Sequence, residues 1–125
     1  MAFVDLFGFP HFYLIFFGVL FFTIGVVFVL IHKPKEWYKF HLWFMVIGMI
    51  LSLIGIIILR GISSILHAYF GITSGVLLIA MIVLGIFART LKKNRKNLRL
   101  FHIWGGRIAY LFVLVTLVYG IILFL

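Results

Sequence analysis

Residues 38–67 read YKFHLWFMVIGMILSLIGIIILRGISSILH. Two apolar runs meet at Arg60-Gly61, and each approaches or exceeds the roughly 20 residues of helix that cross a bilayer's hydrocarbon core. A break of two residues permits only a reversal, so the stretch predicts a tight antiparallel pair of spans, about Tyr38–Leu59 and Ile62–Ala88. Outward from this pair lie two further apolar runs, about His11–Ile31 and Leu100–Leu125, the first opened by Pro10. Apolar residues make up 66% of the 125 and charged residues 10%, against about a quarter charged in a soluble domain. The expected fold is an all-α integral membrane protein: a single four-helix, up-down-up-down transmembrane bundle over 1–125, with no separate soluble domain. No Lys or Arg precedes the first run, so it lacks the basic leader of a secretory signal and reads as a retained span.

The formal charge of +9 follows topology. Lys33, Lys35 and Lys39 lie in or beside the first connection, and Arg89, Lys92, Lys93, Arg95, Lys96 and Arg99 in or beside the third. These are nine of the eleven basic residues, and both connections must emerge on one face of the membrane. By the positive-inside rule that face is cytoplasmic, which puts both termini and the Arg60 turn outside, in what reads as a plasma membrane. Contact with anionic lipids accounts for the basic clusters better than nucleic acid does.

Composition removes several kinds of chemistry. Cysteine is absent, which excludes disulfides, thiolate nucleophiles, iron–sulfur ligation and covalent c-type haem attachment. The two acidic residues, Asp5 and Glu36, lie outside the apolar runs, so a carboxylate-based proton-coupled transporter or an all-oxygen cation site is not expected. Histidine is what remains for holding a redox metal.

Of the five histidines, His11 and His67 fall at the outer end of their spans, and His41 and His102 at the inner end. His11 with His67, and His41 with His102, come from parallel, diagonally opposed helices, so each pair can approach across the core. Two imidazoles from two helices can hold a haem iron axially. Helical rise separates the two levels by roughly 18–20 Å. Glycines recur at matched spacing: His11, Gly18, Gly25 in the first span and His41, Gly48, Gly55 in the second; His67, Gly71 in the third and His102, Gly106 in the fourth. Positions four and seven beyond a residue share its helix face, so Gly18, Gly48, Gly71 and Gly106 are candidate cradles for a flat macrocycle. Small residues at this spacing also mark close helix packing in lipid, as Gly71 and Gly75 illustrate. His32 reads as interfacial, and Met45, one turn past His41, as core packing. For anionic propionates the candidate partners are Arg60 outside, and Arg107 with Lys39 or Arg99 inside.

These residues resemble the cytochrome b561 family and its DOMON-associated, ferric-reductase-like relatives. Phe40-His41-Leu42-Trp43-Phe44-Met45-Val46-Ile47-Gly48, continuing to Arg60, is similar to the family's His-x-x-x-Met-x-x-Gly helix that ends in Arg. Leu66-His67 resembles the next histidine helix. Leu100-Phe101-His102-Ile103-Trp104-Gly105-Gly106 resembles Leu-His-Ser-Trp-x-Gly, with Ile103 in place of Ser. The likeness covers about residues 38–125. It implies a dihaem b protein that moves electrons across the membrane, with His41 and His102 as one ligand pair. In the family the counterpart of His67 pairs with a histidine on a following helix; pairing it with His11 is read from the residues.

The expected function is a b-type cytochrome carrying electrons between two bis-histidine haems. The family implies ascorbate, quinol or a ferric chelate as small redox partner. Other readings are a haem-bearing anchor subunit of a larger quinone-linked oxidoreductase, in contact with a redox protein subunit, and a haem-free small transporter or assembly protein. A homodimer is compatible with each.

Overall fold

The computed structural model describes residues 10–58 and 65–123, and among these all regular structure is helical. Four helices follow one another: α1 (Pro10–Ile31), α2 (Trp37–Ile58), α3 (Ile65–Thr90) and α4 (Arg95–Ile122). All four are long and apolar enough to cross a membrane. At 1.5 Å per residue they run about 33–42 Å. Large apolar side chains stand exposed along every helix, Leu30, Ile57, Val76 and Phe101 among them. Such a surface is stable only where lipid is the solvent, and the chain is a multi-pass membrane protein.

The helix bounds match the expected spans closely except for α4. It begins at Arg95, five residues before the apolar run, because Lys and Arg are good helix formers whose long stems let a helix continue past the hydrocarbon boundary. Both described connections are short. His32 (φ 52°) ends α1 and Asn94 (φ 59°) precedes α4, each in the left-handed region that these residue types enter more readily than most. Backbone bonds close the turns, from Trp37 N–H to the Pro34 carbonyl (2.8 Å) and from Leu98 N–H to the Asn94 carbonyl (3.0 Å). The Arg60 turn lies outside the described residues.

α1 packs closely on α2, and α3 on α4, whereas contact between these two hairpins is sparse. Glycine explains the closeness of the first pair. A Cβ at Gly18 would meet the Ser52 hydroxyl and lie 3.0 Å from the Gly48 carbonyl oxygen, and a Cβ at Gly48 would lie 2.8 Å from the Gly18 carbonyl. In the second pair, the Ser74 and Thr116 hydroxyls lie 3.1 Å apart between α3 and α4, each donating to a carbonyl of its own helix, Phe70 and Phe112. The hairpins meet at mid-depth, where Val19, Phe22, Met49, Leu78, Ala109 and Val113 form the buried core. There Thr23 Oγ1 and the Tyr110 hydroxyl lie 2.7 Å apart, between α1 and α4. Since Thr23 donates its own proton to the Val19 carbonyl (2.9 Å), Tyr110 is the donor of this bond.

Candidate functional site

Each end of the bundle carries one pair of histidines. At the end where α1 and α3 begin, the His11 and His67 ring centroids are 6.4 Å apart with planes at 82°. At the end where α2 and α4 begin, His41 and His102 are 6.1 Å apart at 80°. The diagonal partners inferred from depth are therefore the ones that meet, and both pairs bridge the two hairpins. Along α1 the levels are fourteen residues apart, from His11 to Gly25 beside His41, or about 21 Å.

Backbone carbonyls fix three of the four rings. Nδ1–H of His11 donates to the Gly55 carbonyl (2.8 Å), that of His41 to Gly25 (2.9 Å) and that of His102 to Met81 (2.8 Å). A carbonyl can only accept, so each of these rings carries its proton on Nδ1 and its lone pair on Nε2. Orientation of a ring through its second nitrogen is how proteins prepare a histidine to bind a metal.

The arrangement is reciprocal within each hairpin. His11 of α1 reaches Gly55 of α2, while His41 of α2 reaches Gly25 of α1. In the second hairpin, a Cβ at Gly85 of α3 would stand 2.8 Å from Cε1 of His102, and one at Gly120 of α4 would stand 2.8 Å from Cε1 of His67. Any side chain at Gly85 or Gly120 would displace an imidazole. Sequence reading passed over these two glycines, although a signal for them exists. His-to-Gly offsets are fourteen in both helices of the first hairpin and eighteen in both of the second, as a two-fold relation between antiparallel partners requires.

The other candidate residues divide by position. Gly18 and Gly48 face each other across the α1–α2 crossing, so helix packing takes up their space. Around Gly106 nothing lies within 4 Å of where a Cβ would be, and at Gly71 only a Thr116 methyl approaches, at 3.9 Å, so these two positions remain open. Arg60 lies outside the described residues. Lys39 is exposed and paired with Glu36 at 2.8 Å. Arg107 is exposed and stacks over Trp104, 4.7 Å from its centroid. Met45 packs against the core cluster, and His32 stands edge-on to Trp37 at 4.8 Å.

Among the described residues no group of three or more His, Cys, Asp or Glu could hold one metal ion. Donors come in twos. A pair of imidazoles undersupplies a metal that needs three or four protein ligands, but it suits one already held in a plane by a macrocycle. An imidazole centroid lies about 1.1 Å from its nitrogen and metal–nitrogen bonds are about 2.0 Å, so two rings on opposite sides of one metal would have centroids about 6.2 Å apart. Both pairs stand close to that separation. Compared with known protein families, curated proteins and solved structures, the chain matches none.

Proposed function

We propose that the protein is a b-type cytochrome that carries electrons across the membrane between two haems, one held by His11 and His67 and the other by His41 and His102. The carrying observation is the spacing of the two pairs, one at each end of the bundle, with three of the rings oriented by Nδ1–H bonds to backbone carbonyls. Open positions at Gly71 and Gly106, one turn beyond His67 and His102, add room for a flat group on the ligand face. Haem iron supplies one-electron exchange between its ferric and ferrous states. The chain's own contribution is to present Nε2 lone pairs and to keep the two sites apart. Between the pairs the core is mostly apolar, with Phe22 and Ala109 at 1% and 0% exposure, and its Thr23 and Tyr110 hydroxyls are bonded to each other, which leaves an insulating centre of low dielectric. Such a centre admits tunnelling electrons and opposes ions. The basic connections face the cytoplasm in this reading, so electrons pass between an outer and a cytoplasmic partner.

The test is the visible spectrum of detergent-purified protein, oxidised and dithionite-reduced, with a pyridine haemochrome assay. Two low-spin haems b per chain are expected, and one in each of His41→Ala, His102→Ala, His11→Ala and His67→Ala. Colourless wild-type protein, or unchanged haem content in all four variants, would overturn the proposal.

A further inference from the structure

α2 begins and α3 ends at the basic end of the bundle, and there Arg89 lays its guanidinium 3.3 Å from the centroid of the Tyr38 ring. Tyr38 precedes His41 by three residues. Arg89 follows Gly85 by four, and Gly85 is the glycine against which the His102 ring lies. Both residues therefore stand about one turn, roughly 5 Å, beyond the His41–His102 pair on its loop side. Their contact ties one hairpin to the other directly above that pair.

Stacking occupies the face of a guanidinium and leaves the N–H donors around its edge, in a planar fork that matches a carboxylate. The chain has little acid of its own to fill the fork. Only Asp5 and Glu36 are acidic, and Glu36 is engaged by Lys39. Of the inner partners expected from sequence, Lys39 is paired with Glu36, Arg99 is exposed and Arg107 stacks on Trp104 of its own helix, whereas Arg89 is seated on a ring of the other hairpin at the mouth of the site.

We propose that Arg89, seated on Tyr38, is the anion-binding residue of the basic-end site. The inference rests on the haem reading and deepens it. The anion is either a propionate carboxylate of the group bound between His41 and His102 or the enolate of a soluble reductant such as ascorbate. In the first case the guanidinium charge also favours the reduced iron, since reduction adds an electron next to a cation.

The experiment compares wild type with Arg89→Gln, Arg89→Lys and Tyr38→Leu in the full haem-loaded chain, by optical redox titration and by the rate of reduction with ascorbate at low and high salt. The expected result for Arg89→Gln is a midpoint shifted to lower potential for one of the two haems, the other unchanged and haem content retained. Arg89→Lys keeps most of the potential, because it keeps the charge without the fork. An unchanged midpoint with a tenfold or greater fall in rate, and a flattened salt dependence, supports the site and assigns its anion to the soluble reductant. Wild-type midpoint and rate in Arg89→Gln overturn the proposal. If that variant does not accumulate, Tyr38→Leu, which removes the seat and leaves the charge free to swing away, is read by the same criteria. Colourless wild-type protein would be the failure of the haem reading itself, distinct from a coloured Arg89→Gln that behaves as wild type.

Discussion

Gly85 and Gly120 are where one atom decides a site. The imidazoles of His102 and His67 lie so close to these backbones that an added Cβ would come within 2.8 Å of ring carbon. Leucine at Gly85 is expected to drive His102 off its Met81 carbonyl and, on the haem reading proposed above, to remove one of two haems and leave the other spectrally unchanged. Leucine at Gly120 should do the same at the opposite site through His67. Pyridine haemochrome content and the split of the redox titration check both. Gly75→Ala is the control: nothing lies within 4 Å of its Cβ position and it has no place in either proposed haem site, so it should retain both haems.

At the scale of helices, both hairpins rest on glycine contacts and histidine–carbonyl bonds, Gly18 against Gly48 in the first and Gly85 and Gly120 against imidazoles in the second, whereas Thr23 and Tyr110 join one hairpin to the other. In Gly18→Leu the new side chain meets the Gly48 carbonyl, which is backbone and cannot move aside. Overpacking of this kind costs about 1–3 kcal/mol, and thermal unfolding in detergent should show the loss. Tyr110 and Thr23 make a different kind of joint. Hydrogen bonds between membrane helices average about 0.6 kcal/mol and reach about 1.7, so a double-mutant cycle of Tyr110→Phe and Thr23→Val should return a coupling in that range. A coupling near zero would mean that the mid-depth bond contributes nothing to joining α1 and α4.

The whole molecule is two hairpins that touch sparingly and share two sites. Each histidine pair draws one ring from each hairpin, so a bound group at either end also holds the hairpins together. A ligand that binds only the assembled state stabilises it by mass action. If the proposed haems are bound, the protein stripped of them should keep its helix content and its α1–α2 separation while the α1–α3 separation broadens, a change that spin-label distance measurements on full-length protein would register. Equal distance distributions with and without haem would show that the core around Phe22 suffices to hold the hairpins.

Depth is what the amino-acid sequence by itself determined. Rise per residue and the length of each apolar run place His11 with His67 and His41 with His102 at two levels, and short connections make the helices antiparallel. Rotation about each helix axis is what only the tertiary structure decided. A helix that is apolar on every side offers lipid and neighbour the same surface, so no polar stripe announces which face packs inward. That is why Gly18 and Gly48, legible as a repeat, turned out to meet each other. It is also why the contacts of Gly85 and Gly120 with the imidazoles, hinted at in sequence by nothing more than equal offsets, and the Arg89–Tyr38 contact emerged from the packed bundle. In lipid, small residues and close fit set the facing surfaces, and those are properties of pairs of helices.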